Sequence, residues 1–425
     1  MASTATVPQP LTTAYTEIAA CRMTGSARLV SLLDLGTMPL TGVFPATPQV
    51  NVPGGPVELM LCLDGGLVQL RQSYDPSLLY GPTYGYRSGL NGSMVKHLTD
   101  ITRALDRRRP TSAGDVVLDI GSNDGTLLAS YKNRGQRFVG MDPTAAKFGE
   151  FYPPHIRAIQ DFFSADAYHQ HLGSRQASLV TSIAMLYDLG HPLAFMQAVA
   201  SILAPNGLWY AEQSYLPAML DQCAYDAICQ EHLEYYGLTQ LSWLAAGAGL
   251  RVIDATQNET NGGSLAVTFA HRHSSHQAHT ATIDRLLQQE DDRGLGGPGA
   301  FTAFSMAVAR HRRELPALIR ALRADGKTVF GYGASTKGNV LLHACGLTVD
   351  DLPCIADVNP DKHGKVTPGT HIPIVSEDEA HAQHPDYFLV LPWHFKSYIL
   401  AREQAFLNRG GRLIFPLPTI CVEGP

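Results

Sequence analysis

Val117-Leu-Asp-Ile-Gly-Ser-Asn-Asp-Gly-Thr126 is the stretch on which the fold turns. It reads as a buried strand ending on Asp119, a turn carrying Gly121 and Gly125, and the opening of a helix. Glycines in such a turn let a ligand approach the backbone and the helix N-terminus, where unpaired N–H groups collect. Ser122 and Asn123 lie within the same turn. Twenty-one residues after Gly121, a second strand ends on Asp142 in Val139-Gly-Met-Asp-Pro143. A carboxylate there can accept both hydroxyls of an adenosine ribose. That spacing suits NAD as well. Asp119 before the first glycine, and the lack of G-x-G-x-x-G spacing, favour S-adenosylmethionine.

Working outward, apolar runs at 116–120, 138–141, 179–183 and 208–211 read as buried strands, with helices at 125–133 and 193–203. The alternation predicts a parallel sheet covered on both faces. Leu265, Val267 and Phe269 then alternate with period two, which predicts a late antiparallel strand. Upstream, Met94, Leu98, Ile101 and Leu105 mark one face of a helix that ends at Arg107–Arg109 and Pro110. Residues 1–75, rich in Pro, Gly and Thr, read as a small strand-and-loop module. The glycine-rich run at 290–299 breaks the chain. Beyond it a long helix leads to a second α/β set at 328–332, 354–356, 387–391 and 412–415. The expected division is 1–75, 76–285 and 286–425.

Composition bounds the function. The chain has 425 residues, more than one core usually serves. Hydrophobic residues make up 45% and charged ones 16%, as in ordinary globular proteins. A net charge of −6 argues against a nucleic-acid partner, which needs a basic face. The first twenty residues carry no basic segment followed by an apolar run, and no apolar stretch reaches about 18 residues. The seven scattered cysteines suit free thiols in a reducing compartment. A cytoplasmic protein without a membrane partner is expected.

Three further motifs carry chemistry. Cys229-Gln-Glu-His-Leu-Glu-Tyr-Tyr236 places Glu231 beside His232, a pair suited to proton abstraction; a solvated helix face is the plain alternative. Gly331-Tyr-Gly-Ala-Ser-Thr-Lys-Gly-Asn339 follows a strand, and Asp357 and Asn359 close the next. Its amides with Ser335, Thr336 and Lys337 could hold a diphosphate, with a nicotinamide cofactor as rival ligand. Tyr74, Tyr80, Tyr84 and Tyr86 precede Arg87-Ser-Gly; they could stack on a sugar or pack one domain on another.

Together these motifs resemble the three-domain nucleotide-sugar C-methyltransferases of antibiotic deoxysugar pathways. The resemblance rests on residues 84–90 (YGYRSGL), 118–125 (LDIGSNDG), 184–189 (AMLYDL), 231–236 (EHLEYY) and 260–265 (TNGGSL). It continues through 333–339 (GASTKGN), 359–365 (NPDKHGK) and 391–395 (LPWHF). It implies a central Rossmann-like methyltransferase domain, a degenerate zinc-type N-terminal module and a second Rossmann-like domain at the C-terminus. It implies methylation by S-adenosylmethionine, leaving S-adenosylhomocysteine, at carbon 3 of a dTDP-4-keto-deoxysugar. His232 becomes the expected base, Glu231 its orienting partner, and Tyr84 or Tyr86 a donor to the enolate oxygen. The cofactor is expected on Asp119, Gly121, Ser122, Asn123, Gly125, Asp142, Asp161, Phe162 and Ala184. The sugar nucleotide is expected on Tyr80, Tyr235, Tyr236, Asn261, Gly262, Tyr332, Ser335, Lys337 and Asn339, and on Asn359, Lys362, His363, Trp393 and His394. A monomer or weak homo-oligomer is expected.

The family's zinc module carries Cys-x-x-Cys twice. Here the pairs read Cys21-Arg-Met-Thr24 and Cys62-Leu-Asp-Gly65, so no zinc is expected. Two other functions fit the same motifs: an NADPH-dependent 4-ketoreductase on this sugar class, and a non-catalytic sugar-nucleotide-binding protein.

Overall fold

The computed structural model describes residues 15–80 and 84–425. In the N-terminal module, β1 (Tyr15–Glu17) pairs with β5 (Gln72–Tyr74), while β2 (Leu29–Pro39), β3 (Gly54–Cys62) and β4 (Val68–Leu70) form an antiparallel sheet. The helix Gly92–Arg108 buries Met94, Leu98, Ile101 and Leu105, the predicted face, and Asn91 caps it.

The central sheet contains β6 (Val116–Ile120), β7 (Arg137–Met141), β8 (Ile156–Ile159), β9 (Ala177–Ile183) and β10 (Leu203–Ser214). The next strand, β11 (Glu234–Tyr235), leaves this sheet and becomes the fourth strand of the N-terminal one, with Glu234 opposite Gln69 and Tyr235 opposite Val68. The module therefore does not close on its own residues. Its β4 edge is paired by a segment of the central domain, which removes an open row of backbone donors and acceptors.

β12 (Leu250–Asn258) and β13 (Ser264–His271) complete a seven-stranded sheet in the order β12-β13-β10-β9-β6-β7-β8. Strands β6 to β10 are parallel, and β13 runs antiparallel to β10, as the alternation of Leu265, Val267 and Phe269 predicts. The order reverses between β6 and β9, and the crevice at such a switch point is where doubly wound sheets bind ligands. Sequence reading did not pick out β8 or β12. The first is four residues long with Arg157 exposed, and Arg251 and Asp254 interrupt the apolar signal of the second. The helix expected at 125–133 spans only Thr126–Ala129, because the chain turns through Asn133 to Gly135.

After the helix Thr302–Ala324 come β14 (Val329–Tyr332), β15 (Ile355–Asp357), β16 (Ile374–Ser376), β17 (Tyr387–Val390), β18 (Arg412–Phe415) and β19 (Cys421–Glu423). Their order is β16-β15-β14-β17-β18-β19, parallel except for β19: a second doubly wound sheet. The N-terminal module is wedged between both sheets. Its Leu59 and Leu70 share an apolar core with Phe330 and Phe388, while Cys21, Met23 and Cys62 pack into the core of the central sheet. Among the described residues no helix is long and apolar enough to cross a membrane.

Candidate active site

The carboxyl ends of β6, β7, β9 and β10 open onto a cavity of about 460 Å³, closed on the far side by the turn after β14. That volume is in the range of small-molecule sites. Asp119, Gly121, Ser122, Asn123, Asp142, Phe162 and Ala184 line it from the central domain. Tyr80, Tyr84 and Tyr86 come from the preceding linker, and Glu231 and His232 from the segment that ends in β11. Asn261, Ser335, Lys337 and His394 complete the part predicted from sequence.

On the central-domain side, Gly121 holds φ 72, a backbone that favours glycine, and a methyl there would press on Met185 at 3.1 Å. Asp119 receives a hydrogen bond from Thr181 Oγ1 at 2.6 Å, and burial, with Asp142 nearby, pushes its carboxyl up to about 7. Asp142 takes the Thr144 amide and hydroxyl on Oδ1, both at 2.6 Å, and the Asn123 amide on Oδ2 at 2.8 Å. Of a carboxylate's roughly four acceptor positions about one stays open, so Asp142 organises the turn and keeps one acceptor position towards the cavity. Ala184 has a left-handed backbone (φ 54), a strain typical of functional sites.

On the opposite wall, His232 Nδ1–H donates to the Ala227 carbonyl at 2.8 Å, which leaves Nε2 as the free, basic nitrogen. The Tyr187 ring meets the imidazole edge-on at 4.4 Å. Glu231 makes no hydrogen bond to the ring, although its carboxylate lies within 4.8 Å of it. The orienting group is therefore the Ala227 carbonyl, not Glu231 as the sequence suggested. Burial pushes the Glu231 carboxyl up to about 7, and its Oε1 has no hydrogen-bond partner among the described residues. Gly42 of the N-terminal module packs so closely on that oxygen that any side chain there would collide with it.

Burial, with the Lys337 charge beside it, lowers the His232 imidazole to about 4. The ring is neutral at physiological pH, the form a base requires. The unfolded chain takes up this proton near 6.5 and the folded one only near 4, so His232 costs stability as pH falls across that window. NMR of histidine-labelled protein, with His232 assigned by its loss in His232→Ala, should show a neutral ring at pH 5.5. A midpoint near 6.5 would contradict the burial argument.

The cavity omits several predicted residues, each held elsewhere. Tyr235 sits in β11, with its hydroxyl on the Ala227 carbonyl, and Tyr236 is buried in the core of the central sheet. Tyr332 donates to Glu403, and Asn339 donates to the Thr41 carbonyl. Trp393 Nε1 donates to Asp226, and its ring packs against Gly262. Asn359 reaches the Gly85 carbonyl, Lys362 the Ala334 carbonyl and His363 the Asp357 carbonyl, so these three support the wall from behind. Gly125 (φ 76) makes the turn itself, and Asp161 is exposed outside the cavity.

Other residues enter unannounced. Asp188 accepts from Tyr80 at 2.8 Å, and Gln213 lines the cavity with both amide atoms buried and unpaired among the described residues. Gln213 lies two residues beyond the 208–211 run and Asp188 lies in the quoted 184–189 stretch, the signal that could have found them.

The family model described as "Methyltransferase domain" matches residues 94–255, "C-methyltransferase C-terminal domain" matches 259–418, and "Putative zinc binding domain" matches 21–80. C-methyltransferase NovU of Streptomyces niveus is 32% identical over 404 residues, covering 94% of this chain and 95% of NovU. Among solved structures, TnmH is 22% identical over 42% of this chain and 56% of its own, with a TM-score of 0.32. The LepI complex with S-adenosylmethionine is 14% identical over 44% and 54%, with a TM-score of 0.33. On the full-length likeness to NovU and the matching domain models, the chain belongs to the S-adenosylmethionine-dependent C-methyltransferases.

Proposed function

We propose that the protein methylates carbon 3 of a dTDP-4-keto-deoxysugar. The observation that carries this reading is the Nε2 of a neutral, half-buried His232, free of any partner among the described residues and in the same cavity as Asp119, Asp142 and Lys337. A proton on a carbon beside a ketone is acidified by the carbonyl. His232 Nε2 takes it, and the charge moves to the carbonyl oxygen. Tyr84 or Tyr86 donates to that oxygen, and the Lys337 ammonium adds its field. Asp119 and Asp142, with the Gly121 turn, fit the polar ends of S-adenosylmethionine. That cofactor supplies an electrophilic methyl group. Ser335 and Lys337 serve the diphosphate.

The test is incubation of a dTDP-4-keto-2,6-dideoxyhexose with labelled S-adenosylmethionine, followed by mass analysis of the sugar. One methyl per sugar is expected. NADPH oxidation without label transfer would favour the 4-ketoreductase, and binding without change would favour the non-catalytic reading. Both sink the proposal.

The N-terminal module is proposed to work without zinc. Gly25 N–H donates to the Cys21 carbonyl and Gly66 N–H to the Cys62 carbonyl, both at 2.8 Å, which gives two matching turns. Only one thiol stands in each. Thr24 Oγ1 lies 3.5 Å from Cys62 Sγ, and a methyl on Gly65 would meet the Thr24 methyl at 2.7 Å. Two thiols with a threonine between them do not fit a closed four-ligand site. Elemental analysis should find substoichiometric zinc, and a chelator should leave the melting temperature unchanged. One tightly held zinc per chain would contradict this.

A further inference from the structure

We propose that Arg22, in the first turn of the N-terminal module, is a positioning residue for His232. The inference rests on the reading of His232 as the base and adds the device that holds it in place. The Arg22 side chain is 3% exposed. Its guanidinium donates to the Leu70 carbonyl at 2.6 Å, the Gln72 carbonyl at 3.0 Å and Ser73 Oγ at 2.7 Å, and reaches the Leu233 carbonyl at 3.5 Å. Nε lies 3.8 Å from Glu234 Oε1 with no hydrogen bond between them. One planar fork thus ties β4 and β5 to Leu233, the residue that leads into β11, where the related modules would use a metal. A lysine, a point charge on a flexible stem, cannot reproduce that fork.

The segment it holds is the catalytic one. Leu233 directly follows His232, and both its backbone groups are fixed: its N–H donates to the Tyr187 carbonyl at 2.8 Å, and its carbonyl accepts from the Leu70 N–H at 2.9 Å. Before His232, Gln230 donates to the Met38 and Pro39 carbonyls and accepts from Thr41 Oγ1 at 3.1 Å. The base therefore stands between two anchors that both belong to the N-terminal module. Arg22 is the charged part of the second anchor, and it also faces Glu234, a buried carboxyl group with no hydrogen bond among the described residues. Removing the guanidinium leaves that carboxylate uncompensated and frees β11 to shift. A displacement of about 1 Å at a reacting group can cost on the order of a hundredfold in rate.

The experiment compares Arg22→Lys, Arg22→Met and the double variant Arg22→Met/Glu234→Gln with wild type. It follows methyl transfer, exchange of the sugar's carbon 3 hydrogen in deuterated water, and melting temperature. The double variant removes both buried charges and should melt near wild type, yet its kcat and exchange rate should fall together by about ten- to a hundredfold. KM for S-adenosylmethionine should be unchanged in all variants. Arg22→Lys should fall by about tenfold, since charge without the fork is not enough. Wild-type rates in Arg22→Lys or in the double variant would overturn the proposal. So would a rise in both KM values with kcat unchanged, which would mark a merely structural role. If wild type itself neither exchanges nor methylates, the reading of His232 fails first, and the Arg22 proposal fails with it.

Discussion

His232→Ala should lose methyl transfer by about a hundredfold or more, the usual scale for a positioned general base. Binding of S-adenosylmethionine and of the sugar nucleotide should survive, because the ribose and diphosphate contacts are placed on other residues. The expectation follows from one hydrogen bond. With Nδ1–H donated to the Ala227 carbonyl, the lone pair of the neutral ring sits on Nε2, and no side chain among the described residues occupies it. Exchange of the carbon 3 hydrogen with deuterated water, without S-adenosylmethionine, isolates proton removal from methyl transfer. Wild type should exchange and the variant should not. A variant that exchanges as fast as wild type would move the base elsewhere. Glu231 would be the next residue to test, because its carboxylate lies within 4.8 Å of the imidazole and Tyr235 is outside the cavity.

Asp142→Ala should weaken S-adenosylmethionine binding by tenfold to a hundredfold or more, while the protein stays folded. A hydrogen bond to a charged group contributes about 1.5–3 kcal/mol, which is that range for one ribose contact. A further loss follows from the turn. Asp142 holds the Asn123 amide and both donors of Thr144, so its removal slackens the backbone that cradles the cofactor. Calorimetry decides the matter: unchanged affinity in a folded variant would remove Asp142 from the cofactor site.

The central-domain wall of the cavity could be foreseen because its signals are local. A strand ending on an acid, a turn glycine and a second strand-terminal acid are each written within a few consecutive residues. The opposite wall depends on which way neighbouring side chains face, and motif reading does not resolve that. Lys337 faces the cavity, but Asn339, two residues along the same helix and about 200° around it, faces Thr41 in the N-terminal module. His394 lines the cavity while adjacent Trp393 is turned to Asp226. The run of aromatic and acidic residues around His232 suggested a single polar surface. In fact Glu231 and His232 face the cavity, while Tyr235 and Tyr236 fall into two different cores. The cause is β11, a two-residue strand whose partner is more than 160 positions away in sequence. Nothing within the segment itself announces such a pairing.

The central claim is that a carbon beside the ketone becomes the nucleophile. It is tested most directly by NMR of the product formed from dTDP-4-keto-2,6-dideoxyhexose and S-adenosylmethionine carrying a ¹³C-labelled methyl group. The account predicts that the label appears as a carbon-bound methyl coupled to carbon 3, next to the carbonyl, with loss of the carbon 3 proton. Coupling to carbon 5, which also flanks the ketone, would keep the enolate chemistry but move the site of methylation. A label found as an O-methyl, or no label in the sugar while the enzyme is folded and binds both ligands, would contradict the account.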